Sequence, residues 1–178
     1  MNRIAKFEKV SFEQFKKDWL DTFNTEGLSD DYNIDQLMHE MYDNIKLPKR
    51  ATTGSAGYDF FAPATIKLPK DFSVKIPTGI RCRIENGWVL QAYPRSGMGF
   101  KHGISLANTV GIIDSDYYNS NNEGHIFIKL VNDCSPLANE LKIETDSAFC
   151  QGIFVPFGIT EDDDTDGVRN GGFGSTSR

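Results

Sequence analysis

The sequence predicts an all-β body with a helical extension before it and a flexible arm after it, on three observations. Apolar residues recur at helical spacing only before residue 47. From there to residue 157, short runs rich in β-branched and aromatic residues alternate with Gly, Pro and Asn, and beyond 157 the chain turns acidic and then glycine-rich. The organisation expected is thus 1–46, an N-terminal helical extension; 47–157, the β domain; and 158–178, an acidic tether and C-terminal arm. At 178 residues the chain is long enough for one domain with a real core and too short for two full-sized domains with a linker.

In the extension, Phe12, Phe15, Trp19, Leu20 and Phe23 share one helical stripe, and Ser11 and Gln14 have the spacing of a capping box. A second helix follows Asn33, where Ile34, Leu37, Met38, Met41 and Tyr42 recur every three to four residues. Both stripes are expected to be packing surfaces. Helical periodicity stops at Pro48, and strands are expected at 65–68, 72–76, 80–84, 88–93, 126–131, 141–144 and 148–155. Many short strands imply a sandwich, barrel or jelly roll. The tail runs Glu161-Asp162-Asp163-Asp164-Thr165-Asp166-Gly167 and on to Gly171-Gly172-Phe173-Gly174-Ser175-Thr176. It cannot pack a core by itself, and is either a frayed end or an arm that orders on a ligand.

Composition narrows the function classes. With 39% hydrophobic and 25% charged residues the chain reads as a folded soluble protein. A net charge of -6 argues against a protein whose main task is gripping nucleic-acid phosphates. A polyphosphate is still within reach, provided local Arg and backbone N–H groups and a divalent cation offset the repulsion. No apolar run approaches membrane-spanning length and the first residues lack a secretory signal, so a cytoplasmic protein away from membranes is expected. Cys82, Cys134 and Cys150 are far apart and without CxxC spacing, which favours buried free thiols over disulfides or zinc.

Single motifs are weak. Asp162, Asp164, Asp166 and Gly167 match half a calcium loop, but Phe173 stands where its final Glu belongs. The glycine-rich end lacks the Lys of a Walker loop. His39, His102 and His125 are scattered, and no Ser or Cys sits in a nucleophile elbow, so covalent triad catalysis has little support. Asp114 and Asp116, two apart in what reads as an extended segment, would point to one side.

Taken in order, the segments say more. Gly54-Ser55-Ala56-Gly57-Tyr58-Asp59, Pro94-Arg95-Ser96-Gly97-Met98-Gly99, Asn108-Thr109-Val110-Gly111-Ile112-Ile113-Asp114-Ser115-Asp116-Tyr117, Gln151 and the Gly-Gly-Phe-Gly-Ser-Thr tail strongly resemble the five motifs of trimeric dUTPases. The resemblance spans residues from about 47 to the end. It implies a dUTPase-like β jelly roll, a homotrimer with sites at subunit interfaces, and an arm that closes over a neighbour's site. The implied reaction is hydrolysis of dUTP to dUMP and pyrophosphate, which keeps uracil out of DNA and supplies dUMP for thymidylate synthesis.

Carried over residue by residue, the resemblance implies that Asn108 and the backbone of Gly111, Ile112 and Ile113 read the uracil edge within a β-hairpin. Tyr117 would lie under the deoxyribose and refuse a 2'-hydroxyl. Arg95 supports the phosphate loop, Ser96 and Gly97 hold phosphates where the backbone approaches closely, and Gln151 donates to the chain. Asp114 is the base that activates water. Asp59 holds, through water, a Mg2+ chelated by the phosphates, and Asp116 is structural. From the arm, Arg169 would meet the γ-phosphate, Phe173 would stack on uracil, and Gly174, Ser175 and Thr176 would cap the terminal phosphate.

The chain departs from the family pattern in three places. Tyr118-Asn119-Ser120-Asn121-Asn122 is inserted after Tyr117 and the arginine usual there is missing; with Gly124 in the motif glycine's place, Phe127 takes the position whose backbone touches the base. Only Gln151 survives of the fourth motif, and 1–46 falls outside the resemblance. Two rivals stand beside this reading: a dCTP deaminase of the same fold, and a regulatory nucleotide-binding relative that engages a protein partner through the N-terminal helices.

Overall fold

The computed structural model describes residues 2–23, 32–132, 140–167 and 169. Strand β1 (Ala5–Lys9) leads into helices α1 (Phe12–Phe23) and α2 (Tyr32–Asn44). Strands β2 (Lys49–Arg50), β3 (Tyr58–Phe61), β4 (Ile66–Leu68), β5 (Ser73–Pro77), β6 (Ile80–Ile84) and β7 (Trp88–Pro94) follow. Helix α3 (Ser96–His102), strands β8 (Ser105–Leu106) and β9 (Gly111–Ile113), a 3-10 turn (Ser115–Asn119), β10 (Phe127–Val131), β11 (Leu141–Ile143) and β12 (Ala148–Pro156) complete it.

Among the described residues the strands pair in the orders β1-β6, β5-β10-β8, β11-β4 and β2-β3-β12-β7-β9, and each pairing is antiparallel. This is a β jelly-roll type of body. Its strands were readable in the sequence because one face is buried: Ile66 and Leu68, Ile80, Cys82 and Ile84, and Ile128 and Leu130 point inward while Lys67, Arg83 and Lys129 between them stay exposed. The inner faces meet in one core with Phe60, Ile76, Leu90, Ile126 and Phe149 at its centre.

Residues before 47 belong to this core. Phe15 is completely buried and Val10 and Ile45 nearly so, all three in the same cluster as the strands, and α1 lies against β5. The stripe on α1 packs as its spacing indicates. On α2, Met38 is buried, but Leu37 is 49% exposed, so that stripe is only partly used. Strand β1 pairs with β6 from Ala5↔Ile84 to Lys9↔Ile80. The extension is therefore not helical throughout, and its five-residue strand has no alternation strong enough to be seen beside two amphipathic helices.

The capping box at α1 forms by half. Ser11 Oγ accepts from the Gln14 amide at 3.2 Å, but the Gln14 side chain donates to Asp18 instead of returning to Ser11. Glu123, from the turn inserted after Tyr117, takes that role: its carboxylate accepts from Ser11 N at 2.7 Å and from Ser11 Oγ at 2.6 Å. A long-range carboxylate has replaced a local amide, and the charge suits a helix N-terminus.

Candidate active site

The segment from Asn108 to Phe127 builds the first half of the site. Between β8 and β9 the chain turns tightly, Thr109 N donating to Leu106 O at 3.0 Å. The strands on either side join different sheets, β8 pairing with β10 and β9 with β7. The expected hairpin is thus a turn that crosses between sheets, which opens a cleft where a hairpin would close one. A cavity of about 410 Å³ lies there, lined by Asn108, Gly111, Ile112, Ile113, Tyr117, Phe127 and Arg169 among others. Its size and mixed apolar and polar walls suit a small organic ligand.

Tyr117 is buried, and its hydroxyl donates to His125 O at 2.7 Å and accepts from Asn122 Nδ2 at 2.8 Å. Burial holds its phenol above the ordinary value, with the Asn122 bond acting the other way, so the ring is a neutral, fixed platform. Gly124 makes the inserted turn possible. Its φ is +69°, and a Cβ there would stand 2.7 Å from the carbonyl oxygen of Tyr117, so a glycine is required in the place that the motif assigns to one.

Asp114 and Asp116 are not on a strand. Asp114 caps the 3-10 turn and Asp116 lies within it; Pro-free, polar Ser115-Asp116 favours a turn once β9 ends. They converge nonetheless, because Arg169 reaches both: Nη2 donates to Asp114 Oδ2, and Nε lies 2.8 Å from Asp116 Oδ1. The guanidinium also sits 5.9 Å from the centre of the Tyr117 ring. The partner of Asp116 is thus an arginine of the chain's own tail. Phe173, Gly174, Ser175 and Thr176 lie outside the described residues.

The second half gathers around β3, β12 and the end of β7. Register places Gln151 opposite Asp59 and Tyr93. Arg95 Nε is 3.0 Å from Asp59 Oδ1, and Gln151 Nε2 donates to Pro94 O at 3.3 Å. Arg95 is the N-cap of α3 and Ser96 and Gly97 are its first turn, a helix not foreseen because its two glycines weaken the helical signal. A Cβ on Gly97 would meet no atom of the chain, so the fold itself makes no demand for glycine there.

These two halves do not share a cavity: none of Asp59, Arg95, Ser96, Gly97 or Gln151 lines the pocket that Tyr117 and Arg169 line. A wider cavity of about 1040 Å³, lined by Arg3, Arg50, Tyr58 and Trp88 among others, contains no predicted site residue, so size alone does not mark the site.

Residues to which the sequence reading assigns no role in the site surround the first half. The ring of His125, wholly buried, lies 4.6 Å from that of Phe127. Arg81 stacks on Tyr118 at 3.7 Å and donates to Tyr118 O at 2.7 Å, while the Tyr118 hydroxyl reaches Glu8 on β1 at 2.5 Å. Tyr118 lies in the insertion and His125 shortly after it, while Arg81 and Glu8 left no sequence signal.

Comparison with known proteins identifies the family. The family model described as dUTPase matches residues 43–177. A deoxyuridine 5'-triphosphate nucleotidohydrolase from Lactococcus lactis is 42% identical over 135 residues, 74% of this chain and 88% of that protein. The crystal structure of a dUTPase from Streptococcus mutans is similar with a TM-score of 0.58 at 37% identity, covering 65% of this chain and 88% of that one. A variant of the Staphylococcus bacteriophage 80alpha dUTPase aligns over 95% of this chain and 100% of its own with a TM-score of 0.62; at 17% identity it speaks to the fold alone.

Proposed function

The chain belongs to the dUTPase family and is an enzyme that hydrolyses dUTP to dUMP, and from that premise we propose that Asp114 activates the water, in sites shared between the subunits of a homotrimer. The deaminase alternative is not favoured, since the relatives are nucleotidohydrolases by name. The observation that carries the mechanism is the cavity between Asn108 and Phe127, with Tyr117 fixed in its wall and Asp114 beside it through Arg169.

In this reading Asn108 and the Gly111–Ile113 backbone pair with the uracil edge, helped by the main chain at Phe127, and the deoxyribose rests on Tyr117. A 2'-hydroxyl there would have neither room nor a partner. Asp114 takes a proton from the water attacking the α-phosphorus in line, and pyrophosphate leaves; such help is worth about 10²–10⁴-fold in rate. Arg169 is held by Asp114 and Asp116 in the chain alone, and the γ-phosphate draws it off, leaving Asp114 free to act. Phe173, Gly174, Ser175 and Thr176 would then close over base and phosphates as a lid.

Arg95, Ser96, Gly97 and Gln151 hold the phosphates from the other half. Because the two halves share no cavity within a chain, a neighbouring subunit completes each site; this separation supports the trimer. Among the described residues no cluster of three or more acid, His or Cys groups stands ready to cage a metal, and Asp59, paired with Arg95, is a single carboxylate. That donor set suits Mg2+ carried by the triphosphate, with Asp59 touching one of its waters. When bound, the ion neutralises charge on the leaving pyrophosphate. Buried free thiols at Cys82 and Cys150 and a nucleotide substrate support a cytoplasmic location.

The decisive measurement is pyrophosphate release from dUTP, dTTP, dCTP and UTP with magnesium, on the parent and on Asp114→Asn. Activity is expected on dUTP alone, reduced in the variant by about 10²-fold or more with binding retained. Equal rates on dUTP and UTP would contradict the role of Tyr117.

A further inference from the structure

We infer that Asp18, on helix α1 and outside the nucleotide cavity, is a positioning residue for dUTP binding that acts through the buried imidazole of His125. Both ring nitrogens of His125 are engaged. Nε2 accepts the Gly79 N–H at 2.8 Å. A backbone amide cannot accept in return, so the ring carries its proton on Nδ1, and that proton is donated to Asp18 Oδ2 at 2.5 Å. Gln14 Nε2 donates to the same carboxylate oxygen at 2.8 Å. One tautomer and one ring orientation satisfy this set.

The same residue holds the pocket with its backbone. The His125 carbonyl accepts the Tyr117 hydroxyl, and its ring packs on that of Phe127 two residues along the chain. Imidazole and carbonyl of one residue thus link α1 to two walls of the cavity. The segment from Tyr117 to His125 is tied to α1 twice, by Glu123 at Ser11 and by His125 at Asp18. The inserted turn and the N-terminal helix, two of the three departures from the family pattern, form one unit at the back of the sugar platform.

Asp18 is only 8% exposed. Burial opposes its ionisation, and the hydrogen bonds from His125 and Gln14 more than offset this, so its carboxyl lies below the ordinary value. Burying such a charge is costly compared with burying an apolar residue of similar size. What the charge supplies here is a single setting of His125 and so of Tyr117. Without it Nδ1 loses its acceptor and only the Gly79 N–H still fixes the ring, so the carbonyl that anchors Tyr117 shifts, and the platform that distinguishes deoxyribose from ribose loosens. Asp114, Asp59 and Arg95 are not in this chain of contacts, so binding and selectivity change while the chemical step does not.

The inference rests on the reading that the sugar lies on Tyr117, and the full-length protein tests both separately. For Asp18→Ala, KM for dUTP should rise about tenfold and the preference for dUTP over UTP should fall by a similar factor, with kcat within about twofold, the size expected for one buried charged hydrogen bond. A merely structural role would lower the active fraction, and so kcat, without moving KM. If Asp18→Ala does not fold, Asp18→Asn, which keeps an acceptor oxygen but not the charge, should raise KM about threefold. Asp21→Ala, on the exposed side of the same helix, should match the parent. A folded Asp18 variant with the parent's KM and preference, or with only kcat reduced, overturns the inference. Tyr117→Ala separates the two ideas: if it keeps the preference, the pocket reading fails and the inference falls with it; if it loses the preference while Asp18→Ala keeps it, the inference alone fails.

Discussion

Cys82 and Cys150 are both buried, and burial pushes each thiol up to about 12 from an ordinary 9.0. The thiolate is the reactive form, so at pH 8 about one part in 10⁴ of either group is available to a thiol reagent. Labelling the native protein and mapping the products by mass should leave both unmodified, and denaturant should expose both. The stability consequence has a definite sign. Folding keeps the proton on, so the contribution is fully present below the unfolded value near 9.0 and is lost as pH rises from there toward about 12; the urea midpoint should fall across that window. That Cys82 and Cys150 are free and buried was legible in their wide spacing and the lack of a CxxC pair. His125 was not, because a histidine's role depends on what faces its two nitrogens, and both partners are far away in sequence.

At the scale of elements, α1 is part of the body. Phe15 is wholly buried among strand residues, and its ring lies 5.6 Å from that of Trp19 and 6.0 Å from that of Tyr42. Truncating it leaves a cavity at the joint of helix and sheet, so Phe15→Ala should cost about 3–5 kcal/mol in denaturant unfolding, as for other large-to-small core changes. The loss should appear in one cooperative transition, because helix and strands share a core; a separate early transition would mean that the N-terminal residues fold on their own. The stripe of α1 predicted this packing, and the short β-rich runs between Gly, Pro and Asn predicted β4, β6 and β10 nearly to the residue. The 3-10 turn at Ser115–Asn119 and helix α3 were missed, since five and seven residues are too few for periodicity to register.

At the scale of the molecule, the separated halves give the trimer a direct test. A preparation of Asp114→Asn and another of Arg95→Ala should each be nearly inactive. Unfolded together in equal amounts and refolded, they should recover activity in about a quarter of the sites, because a site shared between subunits then draws each intact half from a different chain. A site contained within one chain would recover nothing. Sedimentation of the parent would report the subunit number independently.

The sequence by itself determined the β class of the body, the helices before it and the family, because these depend on local periodicity and on the order of short motifs along the chain. It also gave the order along the chain of the motifs that hold Arg95 to Gly97, Asp114 and Tyr117. Only the tertiary structure decided that Asp114 and Asp116 converge from a turn instead of a strand, that the motifs fall into two clusters within one chain, and that an N-terminal carboxylate holds the imidazole behind Tyr117. The physical reason is common to all three. Such contacts join residues tens of positions apart, Asp18 to His125 and Asp114 to Arg169, and their partners are chosen by packing and by the need to satisfy buried polar atoms, neither of which leaves a local periodic trace.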